Sequence, residues 1–287
     1  MKHKTNIFIL WNCIFVLLLI IGISLFLGKY QYKYQYDYEF FDVEPKYTLT
    51  LIIICKNESM ILNEFIEHYK WQGVEHIYFI DNNSTDNTRD ILQKYIESEY
   101  LSYYYLPMKY KQMHYYNLVY NSIRKETKWI IVCDADEYIY NRTAGNTILS
   151  YINSIDYNSN INSIILPWKM FGSSDYVEHP ISIRKSFIWK KKDTHENIKS
   201  IINTKYTYKL NVHDHKYEEN TIVKNGTPEL ALNHYAIMSQ EYFIKIKMTR
   251  GSANNSAATA QNMRNEKYYS EYDFKEEIDE ELKNLVT

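Results

Sequence analysis

Glycine is scarce in this chain, 7 residues in 287, and cysteine scarcer still at 3. The first shortage excludes a chemistry. No glycine-rich loop follows the first predicted strand, Leu49–Ile54, so the P-loop and the dinucleotide fingerprint, which need glycine for backbone to approach phosphate, are both missing. The second shortage excludes a scaffold, because Cys13, Cys55 and Cys133 have neither the spacing of a zinc site nor the number for a disulfide framework. Cys55 and Cys133 end two apolar runs and read as buried thiols on neighbouring strands. An excess of one charge is also lacking. With 33 Lys and Arg against 35 Asp and Glu, the net charge of -2 leaves no basic footprint for nucleic acid. Tyrosine is abundant, 30 residues, which we read as a compositional bias and not as a set of stacking platforms.

A length of 287 residues, 45% hydrophobic and 24% charged, suits one sizeable domain with appendages. The appendages are legible. Ile7 to Leu27 is broken only by Asn12, Gly22 and Ser24, and about 20 such residues span a bilayer as a helix. A signal peptide would end in small residues at a cleavage site, which Leu25-Phe-Leu-Gly-Lys29 does not offer. Lys2 and Lys4 on one side nearly balance Lys29 and Lys33 on the other, and we take the N-terminus as cytosolic. The expected layout is a tip and transmembrane anchor over 1–28, a stalk over 29–47 rich in Tyr-Lys-Tyr-Gln repeats, a catalytic domain over 48–260, and a charged tail over 261–287. The expected topology is single-pass type II, with the catalytic part in the ER or Golgi lumen.

From Leu49 onward, short β-branched runs alternate with helical periods, the pattern of parallel strands joined by crossover helices. Leu49–Ile54, His76–Ile80, Leu101–Leu106 and Trp129–Cys133 read as strands. Glu58–Gln72, a segment after Asp86 capped by Ser84 or Thr85, and His114–Lys125 read as helices. The fold class is α/β, a half-Rossmann series with a mostly parallel sheet flanked by helices. Such sheets bind ligands beyond the carboxyl ends of their strands. Three polar clusters fall there: Lys56-Asn57-Glu58, Asp81 to Asp86, and Asp134-Ala-Asp136-Glu137. Two carboxylates two residues apart at a strand end can hold a divalent cation, which in turn holds a diphosphate.

The ordered set Cys55-Lys-Asn-Glu58, Trp71 to Asp86, Asp134 to Ile139, Trp168 to Asp175 and Leu232 to Gly251 resembles glycosyltransferase family 92 and related family 2 enzymes of the GT-A fold. The resemblance covers roughly residues 48 to 251. It implies transfer of a sugar from a nucleotide-sugar donor, UDP-linked by expectation, to a hydroxyl of a glycan, glycoprotein or glycolipid. A divalent metal, usually Mn2+, would sit on the diphosphate. On the matching positions, Asp134 and Asp136 are the metal-binding pair, and Asp134 also faces the donor. His234 is the third metal ligand, with His213 and His215 as alternatives. Asp81, Asn57 and Glu58 face the nucleotide, while Glu137 orients the site from behind or touches the acceptor. Lys247 and Arg250 could contact phosphate. The base an inverting enzyme needs falls to Asp175, then Glu178 and His179. There the chain departs from the family, whose loop carries Gly-His near Asp175-Tyr176.

Each residue also has a plainer role. Asp81, Asn83 and Asp86 suit a turn and a helix cap. His234 suits a core position, Trp168 and Phe171 suit packing, and Lys247 with Arg250 a solvated basic face. Sequons at Asn57, Asn83, Asn141 and Asn225 would be glycan acceptors in a lumenal protein, although two of them fall in the donor site. The leading function is a metal-dependent, inverting hexosyltransferase, with galactose among the candidate sugars. The alternatives are a non-catalytic anchored carbohydrate-binding or structural protein and, less favoured, a nucleotidyltransferase.

Overall fold

The structure, a computed structural model, describes residues 44–251, 253 and 264–286. The expected anchor and most of the stalk lie outside these residues. Among the described residues no helix is long and apolar enough to cross a membrane. The strands in chain order are β1 (Tyr47–Cys55), β2 (His76–Asp81), β3 (Leu101–Tyr105), β4 (Thr127–Val132), β5 (Glu137–Asn141), β6 (Ile161–Pro167), β7 (Lys169–Met170), β8 (Trp189–Lys190), β9 (Ile198–Asn203), β10 (Thr207–Lys209), β11 (Lys216–Tyr217), β12 (Ile222–Asn225), β13 (Leu230–His234) and β14 (Glu277–Ile278). The helices are α1 (Ser59–Trp71), α2 (Thr88–Glu97), α3 (Gln112–Ile123), α4 (Ile148–Asn153), α5 (Ile183–Ser186), α6 (Gln240–Lys245), α7 (Glu266–Tyr272) and α8 (Glu281–Leu285).

Seven strands form the main sheet in the order β12-β6-β9-β4-β1-β2-β3. The β3-β2-β1-β4 half is parallel, as the alternation of strands and helices requires. The fold is therefore α/β with a mostly parallel sheet. Beyond β4 the pattern changes, because β9 runs antiparallel between β4 and β6. A second sheet, β5-β13-β7, stands apart from the first.

The central strands are apolar throughout because helices cover both faces. Leu49, Leu51, Ile53 and Cys55 of β1 join a core with Ile61, Leu62, Phe65 and Ile66 of α1. Ile52 and Ile54 point the other way, to Tyr115, Tyr116, Val119 and Tyr120 of α3. Full burial of side chains of this size stabilises by about 1.5–3 kcal/mol each. Tyrosine does more here than composition suggested. Tyr69 is fully buried, donates its hydroxyl to the Glu137 carbonyl at 2.9 Å and accepts the Ile139 N–H at 3.1 Å, so one side chain ties α1 to β5.

Three sequence expectations need correction. The second helix starts after Asn87 and has no side-chain cap from Ser84 or Thr85, since Asp86 accepts the Thr88 N–H at 3.1 Å instead. The alternation of His213 and His215 along the sequence suits a strand, but both lie in the connection between β10 and β11. Residues 264–286, expected as a charged tail, pack on the domain. Leu282 is buried, β14 pairs with β8, and the chain crosses Gly172 so closely that a Cβ there would collide with the Phe274 backbone. Cys55 and Cys133 are free and buried at the ends of adjacent β1 and β4, as expected.

Candidate active site

Because β1, β2 and β4 are parallel neighbours, their carboxyl ends open on one edge of the sheet, and the three polar clusters meet there. The turn after β4 is closed by its own side chain. Glu137 accepts the Asp134 N–H on Oε2 at 2.8 Å, and the Glu137 N–H bonds the Asp134 carbonyl at 3.1 Å. Antiparallel pairing of β13 with β5 sets His234 opposite Glu137, and the Tyr235 N–H reaches the Asp136 carbonyl at 2.9 Å. Asp134 is thus held at its N–H and its carbonyl, and Asp136 at its carbonyl.

Cations from the second half of the chain meet these acids. Lys199 of β9, 1% exposed, places Nζ 2.9 Å from Asp134 Oδ2 and 3.5 Å from Glu137 Oε2. Lys247 pairs with Asp136, and His234 Nε2 lies 3.5 Å from the same oxygen. Burial would raise both aspartates, but Lys199 holds the Asp134 carboxyl below the usual range, and Lys247 with His234 holds Asp136 well below it. Glu137 behaves oppositely. Burial pushes its carboxyl well above the usual range, Lys199 pulls the other way, and Asp134 and Asp136 add to the rise. Glu137 is fully buried and bonded to the Asp134 N–H, so it orients the Asp134 turn from behind.

The β1 end is sealed in the same way. Glu58 is buried, pairs with Arg250 and accepts the Tyr242 hydroxyl at 2.6 Å, while Arg250 also donates to the Lys56 carbonyl. Asn57 adopts a left-handed backbone (φ 55°) and accepts the Thr85 N–H at 2.7 Å, which joins the first loop to the second. Asp81 is buried at the end of β2 and accepts the Ser84 N–H at 2.7 Å and the Tyr103 hydroxyl at 2.6 Å. The turn-and-cap role is thus real for Asp81 and Asp86. It coexists with a place beside the other two clusters.

Asp175 is not brought to this edge by any contact among the described residues. It occupies a left-handed turn (φ 64°), its side chain is 73% exposed, and it pairs with Lys275. His179 packs on Phe187 and Tyr242 with Nδ1 3.1 Å from Ser239 Oγ, and Glu178 is exposed. His215 is buried and accepts the Asn211 N–H at 3.0 Å; burial lowers its pKa to about 3. Trp168, 9% exposed, is a hub for three imidazoles, with centroids at 4.2 Å for His234, 5.5 Å for His213 and 5.6 Å for His195.

Lys199 escaped the sequence reading, and so did Tyr242. A lysine within Ile198-Lys-Ser-Ile-Ile reads as the solvated face of a strand, and only the insertion of β9 beside β4 turns it onto Asp134. Two carboxylates and an imidazole are a donor set that Mn2+ accepts. As the side chains stand they do not fit an ion. Both aspartates are engaged by ammonium groups, and the described residues contain no group of three or more His, Cys, Asp or Glu side chains arranged to hold a metal.

A family model described as Glycosyltransferase family 92 matches residues 54–280. No curated protein matches the chain. Among solved structures, S. aureus TarS (residues 1–349) aligns at 15% identity over 66% of this chain and 60% of that one, with a TM-score of 0.43. The same protein in complex with UDP-GlcNAc aligns at 18% identity over 55% and 45%, with a TM-score of 0.38. HddC from Yersinia pseudotuberculosis aligns at 14% identity over 68% and 96%, with a TM-score of 0.40. The chain spans 60% or less of the TarS chains it matches. At these identities and scores the likeness carries nothing about substrate or chemistry.

Proposed function

The chain belongs to glycosyltransferase family 92, and from that premise we propose that it is a GT-A-type enzyme that moves a hexose from a UDP-sugar to a hydroxyl of a glycan, glycoprotein or glycolipid. Galactose is among the candidate sugars. The observation that supports this best is the meeting of acids at the ends of β1 and β4 with three cations from later in the chain, Lys199, Lys247 and Arg250. Charge builds on the departing nucleoside diphosphate as its bond to the sugar breaks, and fixed cations at that place lower the barrier. In this reading Lys247 and Arg250 turn from Asp136 and Glu58 toward the diphosphate. Asp81 and Asn57 line the nucleotide side. The acceptor oxygen attacks the anomeric carbon from the opposite face and inverts it.

A Mn2+ requirement is a separate proposal, since an ion at Asp136 has Lys247 to displace. So is the placement of the domain in the ER or Golgi lumen behind an N-terminal anchor, which a mass shift on glycosidase treatment would report. The transfer itself is tested by offering the full chain a panel of nucleotide-sugars with hydroxyl acceptors, while recording diphosphate release and thermal shift. One donor is expected to give both signals. Silence with every donor would return the protein to the non-catalytic, carbohydrate-binding or structural reading. Unchanged cellular activity in Asp134→Ala and Asp136→Ala would do the same.

A further inference from the structure

Among the described residues Asn57, Asn82, Asn83, Asn141 and Asn225 each head an Asn-x-Ser/Thr sequence, the acceptor pattern for an N-linked glycan. A further one, Asn254-Asn-Ser256, lies outside them. Resting on the placement of the domain in a lumen, we propose that Asn225 carries an N-glycan and that this glycan shields an open edge of the main sheet. The structure sets Asn225 apart. Asn141 is 3% exposed, and its Nδ2 donates to the Thr147 carbonyl at 3.1 Å while its Oδ1 accepts the Thr143 N–H at 2.9 Å. Asn82 donates through the same amide to the Leu106 and Met108 carbonyls at 2.7 and 3.1 Å. Asn57 and Asn83 are half-buried in the strand-end loops, where they accept the Thr85 N–H at 2.7 Å and the Tyr105 hydroxyl at 2.6 Å. A glycan on any of these would disturb a bond that shapes its loop.

Asn225 is exposed at the end of β12, and its side chain has no hydrogen bond among the described residues. Gly226 then turns the chain with φ 67° and has open space where a Cβ would stand, so the acceptor projects beside a turn with room around it. The strand itself gives the glycan a purpose. β12 ends the seven-stranded sheet and pairs only with β6, while Ile222 and Val223 are 51% and 37% exposed along it. Such an edge, with unpaired backbone groups and bare apolar side chains, is a template for pairing with another chain. Its one lysine, Lys224, is a poor guard, because its Nζ donates to the Tyr151 hydroxyl at 2.7 Å. Val223 and Asn225 are two residues apart and share a face, so the glycan stands next to the apolar stretch. In the modification, Asn225 Nδ2 bonds the anomeric carbon of a lipid diphosphate-linked oligosaccharide supplied by the lumenal glycosylation machinery. The bond from that carbon to the diphosphate breaks with its electron pair on the diphosphate, and Nδ2 releases one proton to solvent.

The test expresses the full chain in a eukaryotic cell. Protease protection in sealed microsomes reports its side of the membrane, and peptide mapping after N-glycosidase treatment in heavy-oxygen water marks each glycosylated asparagine as a labelled Asp. The expected result is a protected chain labelled at Asn225 and at none of Asn57, Asn82, Asn83 and Asn141, with that label lost in Asn225→Gln. The same variant is expected to keep its melting temperature and its affinity for UDP while shifting to larger species than wild type in size-exclusion chromatography. A protected chain without a glycan on Asn225 overturns the proposal. An Asn225→Gln protein with the wild-type size distribution overturns the shielding role. A chain digested from outside the microsomes instead overturns the lumenal placement, and the glycan with it.

Discussion

The two halves of the domain contribute opposite charges to one site. Residues 47–137 supply the acids Glu58, Asp134 and Asp136 at the ends of parallel strands, and the chain after β6 supplies Lys199, Lys247 and Arg250. Neither half could carry its share alone, because a buried charge without a partner costs several kcal/mol. Asp81 is the exception that sharpens the contrast. Its partners, Ser84 and Tyr103, lie in its own half, and they are neutral. A nucleotide that meets Asp81 has no ion pair to open there. A diphosphate that draws on Lys247 and Arg250 has two.

The comparison can be broken at several points. The largest effect is expected from Asp134→Ala, which leaves the buried Lys199 with only the longer contact to Glu137 at 3.5 Å. About 3 kcal/mol of stability should be lost, read by urea denaturation, and a loss under 1 kcal/mol would mean that the halves are not charge-locked. Next is Gly73→Ala, in the turn from α1 to β2. Gly73 has φ 83° and an added Cβ would lie 2.6 Å from Leu149 Cβ, so about 2 kcal/mol should go with diphosphate affinity intact. A simultaneous fall in affinity would show that scaffold and site are not separable. Lys247→Met should weaken nucleoside diphosphate binding about tenfold, the scale of one charge-assisted hydrogen bond, and tighten Mn2+ binding in calorimetry. Unchanged affinity for both would remove Lys247 from the site.

The smallest expected effect is in acid. Asp136 has a folded pKa well below its ordinary 3.8, so its pairing stabilises fully above about pH 4 and is lost as pH falls toward the folded value. Wild type should therefore lose more stability between pH 5 and pH 2 than Asp136→Asn. Parallel curves would say that Lys247 does not hold a charged Asp136.

The same division governs what could be read from the chain alone. Leu49 to Cys133 repeats a local signal, apolar strand then amphipathic helix, and each polar strand end follows from the element before it. Lys199 needs β9 to lie antiparallel between β4 and β6, a pairing between distant segments that no local period encodes. His213 is set by a single carbonyl and one indole. The acidic composition near the C-terminus suggested solvation, yet Glu281 accepts from Arg142 and from Lys169, the latter at 2.7 Å, and Leu282 is buried. Charge near a chain end says little when its partners come from more than a hundred residues away.

The crossing of the chain over Gly172 also sets an order in time. Ser173 hydrogen-bonds Asp273, and Asp175 pairs with Lys275, each a hundred residues later in the chain. At a synthesis rate of about 5–20 residues per second, those partners emerge roughly 5–20 seconds after the loop they hold. A growing chain therefore owns its parallel sheet well before it owns this loop, and the finished surface belongs only to a chain made past residue 275.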